Sequence, residues 1–244
     1  MKKSDIAFII LFTLMAGFLG GIYVSSLQKP ETKVLARFVN GEREVVTYLP
    51  AVDTKGNGVV GILKTTVKPG KGGVSVDVSN VLSYLDTQQS AKIAADVARN
   101  YTGIDTSNLD INYAIEVNAT AVEGTSAGAA MAVSVIAALQ SKTLNSSVFM
   151  TGTIEPDGSI GRVGAIVEKA RAAKDAGATM FLVPKGQATS TELKRQRECR
   201  NVGFINYCEV TYKQQSANIT GIAGISVVEV RNVGDAARHM VVEK

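Results

Sequence analysis

From Ser126 to Leu139 the chain carries no charge and is apolar on nearly every side of a helix: Ser-Ala-Gly-Ala-Ala-Met-Ala-Val-Ser-Val-Ile-Ala-Ala-Leu. A helix with no face for water has to be enclosed by other elements, so this stretch predicts a layered domain built around it. The residues at its start, Gly124-Thr125-Ser126-Ala127-Gly128, fit Gly-x-Ser-x-Gly. Small neighbours let a substrate carbonyl approach the Ser126 hydroxyl, and unpaired N–H groups at the helix start favour an oxyanion. The same pentapeptide also reads as a helix N-cap followed by close helix packing.

The elements around this helix follow from pattern. Val46, Tyr48 and Val52, then Val59 to Leu63, then Val74, Val76 and Val78 alternate between turn residues at 53–58 and 69–73, which predicts a meander of short strands. Gly56-Asn57-Gly58-Val59-Val60-Gly61 matches Gly-x-Gly-x-x-Gly, but strand-like residues follow it, so it reads as a hairpin turn. Asp86 or Thr87 can cap a helix running to about Tyr101. Strands are expected at Leu109–Val117, Val148–Ile154, Thr179–Val183 and Ile225–Val230. Helices are expected at Gly164–Ala176, with Gly177 ending it, as a polar segment near Thr191–Cys199, and from Asp235 onward. The fold class is therefore α+β, a mixed α/β domain with a β-rich first half and an α/β second half.

Lys169 is the second candidate. On a helix at about 100° per residue, Ala165, Ile166, Ala172, Ala173 and Ala176 lie within about 60° of it, while Glu168, Arg171, Lys174 and Asp175 point elsewhere. A lysine on an apolar face can pack its stem and carry its ammonium to water or to a helix end. It can also be a base, provided that desolvation makes it titrate well below its free value of ~10.4. Paired with Ser126, it would form a serine–lysine hydrolase.

Composition narrows the alternatives. The chain has one histidine, His239, and two cysteines, Cys199 and Cys208, with neither Cys-x-x-Cys nor His-Glu-x-x-His. No metal and no cofactor are expected. The cysteines allow one disulfide in an oxidising compartment and stay thiols in a reducing one. The net charge of +4 includes Lys2 and Lys3, no basic run is interleaved with aromatics, and tryptophan is absent, so no nucleic-acid partner is expected. Ile6–Val24 is uncharged, about 28 Å long as a helix, and predicts an uncleaved membrane anchor. The expected division is an anchor over 1–28, a linker over 29–44 and a domain over 45–244. Lys2 and Lys3 favour a single-pass protein of the cell membrane with the domain outside the cytoplasm. No Gly-x-x-x-x-Gly-Lys-Ser/Thr occurs, so the chain is expected to carry no nucleotide motor.

Four stretches in order, Glu123-Gly124-Thr125-Ser126-Ala127-Gly128, Met150-Thr151-Gly152-Thr153-Ile154, Gly161 to Lys169, and Ala176-Gly177-Ala178 to Val183-Pro184-Lys185, resemble the proteolytic domain of Lon proteases. The resemblance covers about residues 45–240, is of the archaeal type, and is densest from Glu123 to Lys185. It implies a catalytic dyad of Ser126 and Lys169. Thr151 is placed like the family's threonine that hydrogen-bonds the lysine, and Glu123 like an acidic residue that shapes the active-site loop. Gly124, Thr125 and Ala127 would form the oxyanion and substrate loop. Thr125 departs from the proline of many bacterial members, as in the archaeal branch. The resemblance also implies a homo-oligomer, a hexameric ring. With only an anchor in place of the unfolding module, the enzyme is expected to cut unfolded proteins or peptides without ATP, unless a separate ATPase feeds it. Two other readings compete. One is an inactive, membrane-tethered scaffold of the same fold. The other is an α/β-hydrolase using Ser126, Asp157 or Asp175, and His239.

Overall fold

The computed structural model describes residues 34–35, 41–81, 84–121, 125–202 and 205–243. The predicted membrane segment, Ile6–Val24, lies outside them. Among the described residues no helix is long and apolar enough to cross a membrane. The elements below belong to the unit from Leu35 to Lys244.

The first half is a four-stranded sheet of β1 (Arg43–Val52), β2 (Gly58–Pro69), β3 (Val74–Val81) and β4 (Leu109–Ala121). The β1–β2 hairpin turns where expected. Asp53 Oδ1 accepts from the N–H groups of Lys55 (2.8 Å) and Asn57 (2.9 Å). The expected meander of short strands is corrected at β3. The sheet order is β1-β2-β4-β3, with β4 antiparallel to β2 and parallel to β3. A parallel neighbour needs a crossover, and helix α1 (Tyr84–Thr102) provides it between β3 and β4. The strands also run longer than read, 10 and 12 residues for β1 and β2.

Helix α2 (Gly128–Leu139) is enclosed as its composition requires: all 12 of its residues are buried. It packs against β1 and β2 on one side and α1 on another. One polar contact crosses this core, between the hydroxyls of Thr65 on β2 and Ser134 on α2 at 2.7 Å.

The second half contains a parallel sheet of β5 (Val148–Met150), β8 (Met180–Pro184) and β11 (Ser226–Val230), with β8 in the middle. Between β5 and β8 lie the short antiparallel pair β6 (Thr153–Ile154) and β7 (Ile160–Gly161), then helix α3 (Ile166–Asp175). Alternation along the strands divides the core. Val148, Met150 and Leu182 join the larger cluster around α2, whereas Phe149, Phe181 and Val183 join a smaller one with Ile166, Ala170 and Ala173 of α3. Tyr48 of β1 stacks on Phe149 with ring centroids 4.8 Å apart.

The polar helix expected near Thr191–Cys199 is instead a strand. Residues Thr189–Val202 (β9) pair antiparallel with Ile205–Asn218 (β10) over their whole length. Partners such as Val210, Thr211 and Tyr212 favour strand, and the register sets Cys199 opposite Cys208. Cys199 is disulfide-bonded. The chain closes with α4 (Ile219–Ala223), β11 and α5 (Val233–Met240), the last capped by Asn232, whose side chain accepts from Asp235 N–H at 2.9 Å. This start lies before the predicted Asp235, because the cap is the asparagine.

Helix α3 lies against the start of β2 at Gly58. A Cβ there would sit 2.2 Å from the carbonyl oxygen of Glu168 and 3.0 Å from Ala172 Cβ. The obstruction is backbone, so Gly58→Ala is expected to lower stability by about 1–3 kcal/mol. Urea unfolding checks this; Gly56→Ala, where no atom lies within 4 Å but φ is +81°, separates the steric cost from turn strain.

Candidate active site

Ser126 sits in a single 3-10 turn, Thr125–Ala127, that leads into α2. The N-cap position of α2 is Ala127, and among the described residues no side-chain cap bond is made there. Ser126 is therefore not the N-cap residue of α2. Ser126 is 5% exposed.

The predicted strand 148–154 is broken at Thr151 and Gly152, and that break holds the serine turn. Gly152 N–H donates to Ser126 O (2.9 Å), Ala129 N–H donates to Gly152 O (3.1 Å), and Thr151 Oγ1 donates to Ser126 O (3.5 Å). Thr151, itself 1% exposed, is tied to β8 by its N–H donating to Leu182 O (3.1 Å). Two glycines make the approach possible. A Cβ at Gly128 would lie 2.8 Å from Ile154 Cγ2, and one at Gly152 would lie 2.4 Å from Ile160 Cγ2.

Lys169 comes from a third element. It is fully buried, at 0% exposure, on the face of α3 that also buries Ile166, Ala170 and Ala173. The predicted apolar face is thus the buried one, shifted slightly so that Ala170 replaces Ala176. Glu168, Arg171, Lys174 and Asp175 keep some contact with solvent. The helix ends as predicted: Gly177 at φ +91° donates to Lys174 O (2.9 Å) and Ala178 to Ala173 O (3.0 Å). Its start is less ordinary. Ala165 adopts the left-handed conformation, φ +53° and ψ +42°, which costs an alanine about 1–2 kcal/mol.

The structure joins Ser126 to Thr151 by hydrogen bonding, places Thr125 and Ala127 in the same turn, and buries Lys169. Glu123 and Gly124 lie outside the described residues. His239, Asp157 and Asp175 are exposed on separate elements, which leaves the Ser-Asp-His reading without an assembled triad. Among the described residues no cluster of His, Cys, Asp or Glu could hold a metal ion.

A sequence model of the family described as "Lon protease (S16) C-terminal proteolytic domain" matches residues 44–200. The chain belongs to this family. The Lon proteolytic domain places it among the serine peptidases by descent. Curated relatives include an archaeal Lon protease of Archaeoglobus fulgidus, 32% identical over 102 residues, or 42% of this chain and 16% of that protein. Another, from Thermoplasma acidophilum, is 32% identical over 124 residues, 51% of this chain and 19% of the relative. The Lon protease of Clostridioides difficile is 41% identical over 76 residues, 31% of this chain and 10% of the relative. The matched stretch thus spans less than a fifth of the length of these relatives.

One residue that pattern reading passed over borders this site. Gln187, only 7% exposed, sits in the turn after β8 and bonds Val163, ahead of α3. A glutamine three residues after a strand-ending proline is its only sequence signal.

Because Gly152 bonds both Ser126 in the serine turn and Ala129 at the start of α2, Gly152→Ala should displace that turn through the overlap with Ile160. The expected outcome is a lower melting temperature together with slower labelling of Ser126 by a fluorophosphonate probe, read by intact-mass spectrometry.

Proposed function

We propose that this Lon-type domain is a serine endopeptidase in which Ser126 is the nucleophile and Lys169 its base. The observation that carries the reading is a lysine at 0% exposure on the apolar face of α3, in a chain whose Gly-x-Ser-x-Gly serine is bonded to the Thr151 turn rather than used as a helix cap. Burial by itself penalises an ammonium more than an amine, which is the direction that a lysine base needs. Ser126 Oγ attacks the peptide carbonyl carbon as its proton passes to Lys169 Nζ. N–H groups of the turn and the positive end of α2 stabilise the tetrahedral oxyanion. Lys169 returns the proton to the leaving amine, and water, deprotonated in the same way, hydrolyses the acyl-enzyme. Thr151 orients the lysine, and Glu123 with Gly124, Thr125 and Ala127 shapes the loop that receives substrate.

The substrates we propose are unfolded proteins or peptides cut without ATP, by a homo-oligomeric ring anchored through Ile6–Val24, or fed by a separate ATPase. A domain outside the cytoplasm accords with the disulfide at Cys199, since such bonds persist in oxidising compartments.

Full-length protein in detergent, given unfolded casein, tests this. Ser126→Ala and Lys169→Met should each slow cleavage by at least about a thousandfold, while His239→Ala leaves it unchanged and ATP has no effect on the rate. Equal cleavage by wild type and Ser126→Ala would overturn the mechanism, and no cleavage by any of them would favour the scaffold reading.

A further inference from the structure

Between β7 and α3 the segment Arg162 to Ala165 has no strand partner, yet it sets where the Lys169 helix begins. It is held from across the β8 turn. Gln187 Nε2 donates to Val163 O at 2.8 Å, and Val163 N–H donates to Gln187 Oε1 at 3.0 Å, so one side-chain amide answers both polar groups of one residue as a neighbouring strand would. Arg162 Nη1 adds a longer bond to Gly186 O at 3.3 Å. The turn that carries Gln187 is fixed in its own right. Gln187 N–H donates to Pro184 O (3.1 Å), Lys185 N–H to Val230 O (3.0 Å), and Ala188 N–H to the Glu229 carboxylate (2.9 Å). Backbone N–H groups of Ala188 and Gly186 hold that carboxyl below the usual carboxylate range.

Two residues beyond Val163, Ala165 takes its left-handed conformation, and Ala165 O accepts the Lys169 N–H at 3.0 Å. An alanine stays in that region only where its surroundings over-determine it. The clamp on Val163 fixes the chain on one side of Ala165, and the burial of Ile166 fixes it on the other.

We infer that Gln187 is a positioning residue for the proposed reaction, acting through Val163 and Ala165 to set the start of α3 and hence the place of the Lys169 amine. The inference rests on the serine–lysine reading above. It separates Gln187 from an ordinary buried amide, whose loss would lower stability but leave turnover by the folded protein unchanged.

The test uses the full chain with Gln187→Met, which keeps length and removes both bonds, and Gln187→Glu. Under conditions where melting shows each variant folded, Gln187→Met should lower kcat on casein about tenfold or more with KM little changed, since small misplacement of a catalytic group is costly. Gln187→Glu should behave differently with pH. Its protonated carboxyl has one donor and one acceptor and restores both bonds, whereas the carboxylate cannot donate to Val163 O. Its kcat relative to wild type should therefore fall as pH rises. Hydrogen exchange gives a readout that needs no activity: amides of residues 163–169 should exchange at least about tenfold faster in Gln187→Met, with those of α2 unchanged. Unchanged exchange over 163–169 overturns the inference. So does faster exchange with unaltered kcat while Lys169→Met is inactive. If Lys169→Met remains active, the serine–lysine reading fails and the exchange result still decides whether Gln187 holds the helix start. If Gln187→Met does not fold, Gln187→Glu compared at low and high pH decides on the same two measurements.

Discussion

The enclosure of α2 governs this domain. Twelve consecutive buried residues leave no side for water, so the helix needs a sheet on one side, a second helix on another and the strand break at 151–152 near its start. Alanine and glycine make that enclosure tight rather than merely apolar. They bring backbones close, and the 3-10 turn with Ser126 is where the crowding meets the β5–β6 break. The serine is thus placed by packing, and its carbonyl is bonded by the chain it packs against.

Ser126 and Thr151 stand where regular structure is interrupted, and Lys169 follows such a point within its helix. Ser126 lies in the turn before a helix, Thr151 where one strand stops and another begins, and Lys169 one turn after a left-handed alanine. Interruptions expose backbone N–H and C=O groups that must find partners. The structure uses those groups to bind one interruption to the next, as Gly152 does for Ser126 and Gln187 does for Val163. Local bonding of this kind positions side chains without the long-range regularity of a sheet.

Much of this was legible in the sequence because it depends on period and on glycine. The apolar face of α3 appears at helical spacing, and only Lys169 among its charges falls on it. Gly177 marks the helix end because a left-handed C-terminal residue favours glycine. What stayed hidden depends on pairing over distance. Nothing local in Val74–Val81 shows that β4 would enter between it and β2. The run Thr191–Cys199 is polar and charged, which suits a surface helix as well as a strand; only the residues opposite it, through Tyr212 and Cys208, decide for the hairpin. Gly58 read as the end of a turn but is the first residue of β2, and its role in admitting the Glu168 carbonyl needs the fold.

A buried lysine is useful only if the helix bearing it cannot turn to carry the amine to water. Ten residues of helix have little intrinsic stability alone, so α3 depends on its surroundings. Its end is closed by Gly177, its middle is pressed on β2 where Gly58 offers no side chain, and its start is tied through Val163 to Gln187. Rotating α3 enough to expose Lys169 would drive Ile166, Ala170 and Ala173 out of the smaller core at the same time. The apolar face and the three restraints therefore work in one direction: the same packing that buries the Lys169 side chain prevents the helix from turning it out to water.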